Sequence, residues 1–483
     1  MKTYFARLLS LLLIFTIAVV PTWATCGGGG GGGTGGISGS GSAPTQTYPV
    51  PWKVISAADA ASKDGLTIYW LPASQQELEK SSLRFSRTLS SYASQCVSMG
   101  IVDSHTPLGQ KYLAQSKLPL VVLATPDGSP VSKLESTNGF LKVEDVEKLV
   151  NGEIKKRESA LKEKMDSARS KAKGGDAQGA IAEYRSVYDQ KCMFPGKAKD
   201  AAKELKKLGV NDVAEVQDGP SFDPAVSARV ENTMKAGLRA ENAVHYSEAE
   251  RLYSEAHRLD PGDPVPLRYL GELYRHHIGD WVHARLEFRA ILNMQADPLS
   301  RAVALHGMGK MTIHEGQFKK GLAMMEQSVQ EFPLALTYRN LAVYWNSEGE
   351  NAKADQYAQE ALKLEPNDAY NVVFCAVFRA AAGHKEEALK IARDNDGLLS
   401  ASYNLAAIYA EAGQKDRALE LLKRHFFTYE RNQAVRSKEM MEARVDSVFA
   451  SIKNDPQFIS LTSGADGMLD PNRNMGARQA GSL

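Results

Sequence analysis

The sequence predicts an α/β domain followed by an all-α solenoid, and three observations carry that prediction. Small residues recur at Gly237, Gly271, Gly309, Ala342, Ala376 and Ala406, and a second set follows about twelve positions on, at Ala249, Ala284, Gly321, Ala354, Ala388 and Ala418. Steps in the first set are 34, 38, 33, 34 and 30 residues, so one small supersecondary unit is restated rather than one large core built. Residues 49–150 have another rhythm, in which short β-branched and aromatic runs alternate with helical stretches.

Each repeat reads as a helix, a turn and a second helix. The small residues let the two backbones approach closely, and Gly279, Gly316, Gly349, Gly383 and Gly413 mark the turns. Tyr253, Phe288, Met325 and Leu422, four positions after the second small residue, fill the space between repeats. Pro261, Pro298, Pro333 and Pro366 close four of the units.

The run YLGELY from Tyr269 and the segment from Thr337, with Tyr338, Leu341, Ala342, Trp345, Gly349, Ala354, Ala361 and Pro366 on pattern, resemble the tetratricopeptide repeat (TPR). The resemblance covers 225–430 and implies a TPR superhelix that binds proteins. The unit at Val303 departs from the pattern at Gly321 and Ser328, and the unit at Tyr370 loses its tail in RDNDGLLS. In that family ligands lie on the concave face of the first helices. The resemblance therefore implies a basic-to-polar patch of Arg268, Glu272, Arg275, His306, Lys310, Arg339 and Asn346 for an acidic or carboxylate-bearing peptide. It also implies an apolar stretch at Tyr370, Val373, Val377, Tyr403 and Ala407.

Upstream, GLTIYWL from Gly65, VSMGIVDS and the hairpin signal LPLVVLATPDGSPVSKLE give strands. Helices are expected at AADAASKD, across SQQELEKSSLRFSRTLSSYASQC, and at KVEDVEKLVNGEI. This order, with the Leu118-Pro119 pair entering a strand, resembles a thioredoxin-like domain, and the resemblance implies that Pro119 is cis. Redox members carry Cys-x-x-Cys after the first core strand. Tyr69 to Lys80 holds no cysteine, so a dithiol reaction is excluded there and a docking role is expected.

Lys2 and Arg7 precede the apolar run Leu8 to Val20 and the stretch TWAT, which reads as a secretory signal over 1–24. Cys26 and the glycines after it leave two starts open, a free N-terminus or a lipidated Cys26. A Gly-rich flexible linker is expected over 25–48, a helical linker with a degenerate TPR-like hairpin over 151–224, capping helices over 431–462, and a disordered tail over 463–483. In the capping segment Val448, Phe449, Ile452 and Phe458 are expected to cover the last unit. Cys26, Cys96, Cys192 and Cys375 form no CxxC, and Cys96, Cys192 and Cys375 read as small buried hydrophobes.

The net charge of +1, with 24% charged and 43% hydrophobic residues, leaves no nucleic-acid footprint. His276, His277, His283, His306 and His314 lack structural-zinc spacing, and no GxSxG, HExxH, P-loop or dinucleotide fingerprint occurs. The expectation is an exported, non-enzymatic scaffold without cofactor or metal, whose partner is a protein or peptide of acidic character. Membrane contact would come only through a lipid on Cys26. The alternatives are a thiol-disulfide or peroxide-handling protein using Cys96, and a lipid-anchored structural part of an envelope assembly.

Overall fold

The structure is a computed structural model that describes residues 46–55, 65–136, 139–430 and 433–463. The expected signal, most of the Gly-rich spacer, Cys26, the whole of the expected alanine-rich helix AADAASKD and the tail after Ser463 lie outside the described residues. Two compact units are present, which divide between Ala304 and Leu305. No helix among the described residues is long and apolar enough to cross a membrane.

The first unit begins with a five-stranded mixed sheet. Its strands are β1 (Lys53–Val54), β2 (Leu66–Leu71), β3 (Val97–Ile101), β4 (Leu120–Ala124) and β5 (Pro130–Glu135), in the spatial order β1-β3-β2-β4-β5. β3 runs parallel to β1 and β2, whereas β4 is antiparallel to both β2 and β5. β2 and β4 are buried on both faces, as near-continuous apolar runs require. Leu66, Ile68, Trp70, Val121 and Leu123 face one core, while Tyr69, Leu71, Leu120 and Val122 face another with Tyr112. The β4–β5 turn closes on Gly128 at φ +76°, with the Asp127 carboxylate accepting from Ser129 N at 3.1 Å. The Leu118-Pro119 bond is cis.

The helix expected across 74–96 is broken into α1 (Gln75–Lys80), a 3-10 turn and α2 (Arg87–Ala93). Serines cause the breaks: Ser81 Oγ accepts from Leu83 N and Ser86 Oγ from Leu89 N, each ending one segment and capping the next. α3 (Pro107–Leu113) crosses to β4. After β5 the helix expected near 142–154 runs on as α4 (Val143–Lys173), 31 residues without interruption. It packs with α5 (Ala177–Tyr188) and α6 (Pro195–Lys207). The chain therefore has no break at 150, because one apolar cluster joins Leu66, Trp70 and Leu89 to Val146, Tyr184 and Leu205.

Cys96 and Cys192 form a disulfide, 96 residues apart in sequence. The reading of both as small buried hydrophobes is thereby corrected. Spacing alone cannot show such a pairing. Cys375 is free and buried, and burial pushes its thiol up to about 12.

Helix pairs follow: α7 (Pro224–Asn242) with α8 (Tyr246–Leu259), then α9 (Pro264–Leu273) with α10 (Trp281–Asn293). Acidic caps start three of these helices with the following proline or polar turn in place. Asp223 accepts from Ala225 N at 2.8 Å, Asp263 from Val265 N at 3.0 Å and Asp280 from Val282 N at 3.1 Å.

An unpaired-looking junction is in fact a dense ionic one. Arg87 on α2 donates from Nε to Asp263 at 3.1 Å, from Nη1 to Ser221 O at 3.0 Å and to Ser227 Oγ, and from Nη2 to Asp260. The Tyr48 hydroxyl donates to Asp263 at 2.9 Å. All of these ionic side chains are buried.

α11 (Pro298–His314) spans the division between the units. The second unit then continues with α12 (Phe318–Glu331), α13 (Ala335–Ser347), α14 (Asn351–Leu364), α15 (Ala369–Ala381), α16 (Lys385–Asp394), α17 (Ser402–Glu411) and α18 (Lys415–Arg424). α19 (Gln433–Val445) and α20 (Pro456–Thr462) complete it. The five turn glycines take φ between +79° and +98°, the left-handed conformation that ends each first helix. The small-residue pairs stand where backbones meet: a Cβ on Gly271 would lie 2.4 Å from the Phe288 ring, and one on Gly321 would lie 2.4 Å from Gly309 O.

Candidate peptide-binding face

The predicted binding residues begin on α9, after which the chain widens into a π-helix over Tyr274–Ile278. Such single wide turns often sit at functional positions. Arg268 is 1% exposed, and its guanidinium carbon lies 5.7 Å from the Tyr269 ring centre. Its Nε and Nη2 have no hydrogen-bond partner among the described residues. One turn on, Arg275 Nη2 donates to Glu272 at 2.8 Å, and His276 Nε2 lies 3.1 Å from the same carboxylate. Burial alone would push Glu272 up, but the Arg275 and His276 charges outweigh it and hold the carboxyl well below its usual range.

The remaining predicted residues belong to the second unit. His306 is buried with Nδ1 3.0 Å from Thr337 Oγ1, and Lys310 is half-buried. Arg339 Nη1 donates to Glu365 at 2.5 Å and to Asn371 Oδ1 at 3.2 Å. Asn371 in turn donates to Ala361 O and Glu365 O, so this arginine is built into the α14–α15 junction. Tyr370 is half-buried against the C-terminal apolar cluster.

A solvated basic patch is therefore not what the structure forms. Arg268 and Arg339 are buried, and the charges of Arg275 and Arg339 are matched by Glu272 and Glu365. The acidic partners on neighbouring turns, Glu272 for Arg275 and Glu365 for Arg339, were not legible from the repeat frame.

The expected apolar face at Tyr403 is likewise covered, and by the chain itself. Tyr403 donates to Asp446 at 2.9 Å, and its ring meets Phe449 edge-on with centres 5.2 Å apart. Ser451 Oγ donates to Ala410 O at 3.0 Å, and Asn346 Nδ2 on α13 donates to Ser447 Oγ at 3.0 Å. The segment from Asp446 to Ser451 thus bonds to both α13 and α17. Val448, Phe449, Ile452 and Phe458 are all buried there, as the sequence led one to expect of a terminal cap.

Successive helix pairs with small residues at close crossings and a left-handed glycine at five of their turns give the second part of the chain a TPR-like helical-repeat fold. No known family profile matches the chain. The CTR9 homolog of Arabidopsis thaliana is 24% identical over 232 residues, covering 38% of this chain and 21% of that protein's own length. Among solved structures, YrrB, described as a TPR protein with an unusual peptide-binding site, is 19% identical with a TM-score of 0.29, covering 38% of this chain and 95% of that one. The human IFIT1 dimer with PPP-AAAA is 16% identical with a TM-score of 0.32, covering 63% and 76%.

Proposed function

We propose that this protein is an exported, non-enzymatic scaffold that holds an acidic segment of a partner protein on the inner face of its helix pairs. Its mixed α/β domain serves as a redox-inactive, thioredoxin-like docking module. Support for the second part is the β1-β3-β2-β4-β5 order, the cis Leu118-Pro119 bond, and a β2–α1 connection without cysteine.

The observation that carries the binding role is Arg268. A buried guanidinium with two donors unmade costs several kcal/mol, and a carboxylate arriving in a bidentate pose would satisfy both. The test is anisotropy with a labelled octapeptide rich in Glu and Asp on the full chain. Arg268→Met is expected to weaken binding at least tenfold while leaving the melting midpoint unchanged or higher, because an uncompensated charge leaves the interior. Equal binding by the variant would defeat the assignment, and a lowered midpoint would make Arg268 a structural residue.

A further inference from the structure

Two repeats apart, α13 and α17 are bridged by one short stretch of chain. Asp446 caps a 3-10 turn over Ser447–Phe449 by accepting from Val448 N at 3.2 Å, and it also accepts the Tyr403 hydroxyl bond. That turn presents Phe449, fully buried, to the Tyr403 ring. Its rim is polar on both sides, with Ser447 taking the Asn346 amide and Ser451 reaching Ala410 O. A carboxylate, an aromatic anchor and satisfied rim bonds are the parts of a recognition site rather than of a plain apolar cap.

We infer that the inner face of α13 and α17 is a second peptide-binding surface, and that Asp446–Ser451 occupies it as an internal pseudo-ligand. Its external ligand is a protein segment of the same chemistry, an acidic residue followed three positions on by an aromatic and two further on by a small hydroxyl residue. The inference rests on the reading of the helix pairs as a peptide binder. It gives the ligand a site made by other residues than Arg268, and a competitor for that site.

The competition sets the affinity. A tethered segment acts at an effective concentration of order millimolar, and the free ligand's apparent affinity falls by the fraction of chains whose face is vacant. A partner must therefore be better than the internal copy, or be present where that copy has been pulled away.

The experiment uses the full chain and a labelled peptide with the sequence of residues 444–455. Phe449→Ala removes the internal anchor and should tighten binding of the free peptide at least tenfold. Ser447→Ala, which leaves the core intact, should tighten it about fivefold, the worth of one rim hydrogen bond. In the wild-type chain, excess peptide should speed amide exchange at 446–451 while α17 stays protected. If the peptide binds neither Ser447→Ala nor Phe449→Ala, and exchange at 446–451 matches that of α17 with or without peptide, the segment is a permanent cap and the inference fails. Binding of the Glu- and Asp-rich octapeptide in that same chain would show that the Arg268 reading survives; loss of both would sink the two together.

Discussion

Gly321→Ala is a substitution whose sign is decided by a close backbone contact between two helices. In an exposed helix interior, alanine for glycine stabilises by about 0.5–1 kcal/mol. At Gly321 the new methyl carbon would stand 2.4 Å from Gly309 O, 2.6 Å from Ile313 Cγ1 and 2.9 Å from Ile313 N. Two of these atoms are backbone and cannot swing aside as the Ile313 side chain can, so α11 and α12 must separate by ~1 Å to restore an ordinary contact near ~3.5 Å. Overpacking of this kind costs about 1–3 kcal/mol. Set against the helix-propensity gain, the expected net effect is a loss of ~1–2 kcal/mol. Gly152 on α4 is the control, since a Cβ there meets nothing within 4 Å, and Gly152→Ala should stabilise by about 0.5–1 kcal/mol. Thermal unfolding followed by circular dichroism at 222 nm reads both. If Gly321→Ala raises the midpoint as Gly152→Ala does, the close crossing of α11 and α12 is not a constraint and the role given to the small-residue pairs is wrong.

Three further outcomes are expected. Arg87→Met strands Asp260 and Asp263 without their common cation and should cost about 3–5 kcal/mol, recovered in part by adding Asp263→Asn; a loss under 1 kcal/mol in chemical denaturation would show that the junction is not held by charge. Burial, with Asp446 adding to it and Lys385 opposing, pushes the Glu411 carboxyl up to about 7, and burial raises Asp446 as well. Both folded values lie above the ordinary carboxylate range, so the stability they contribute is complete at acid pH and is lost as pH rises through about 7 for Glu411. The midpoint should fall from pH 5 to pH 8 and fall less in Glu411→Gln, whereas identical pH profiles would contradict this. Reduction of the Cys96–Cys192 bond, which closes a loop of roughly a hundred residues, should lower stability by about 2–5 kcal/mol, and a Cys96→Ser chain should show the same midpoint with and without reductant.

Much of the fold was legible because it is written in short-range patterns. The turn glycines and the pairing of Gly271 with Phe288 are periodic features, and β2, β4 and β5 were visible as apolar runs around an Asp-Gly turn. What sequence could not show depends on partners far along the chain. Arg87 meets Asp263 across 176 residues, and Asn346 meets Ser447 across 101. The candidate site suffered most from this. Repeat position singled out Arg268, Arg339 and Tyr403, but their exposure was decided by Glu365, by Asp446 and by burial of α9. The break between α1 and α2 was missed for a local reason, because Ser81 and Ser86 prefer their side-chain caps to helix continuation.

The ionic junction at Arg87 also bears on how this protein can be divided. A fragment begun at the first repeat, near 225, is what the periodicity recommends, since each repeat reads as a self-contained piece. Such a cut would discard the guanidinium that neutralises Asp260 and Asp263 at the very turn joining α8 to α9, together with the Tyr48 hydroxyl on the same carboxylate. In a stacked array the outermost repeat is stable only if something covers it. Here the cover is lent by the α/β domain, which makes that domain the array's first stabilising neighbour. A piece intended for binding work is therefore better started before Tyr48 than at the first recognisable repeat.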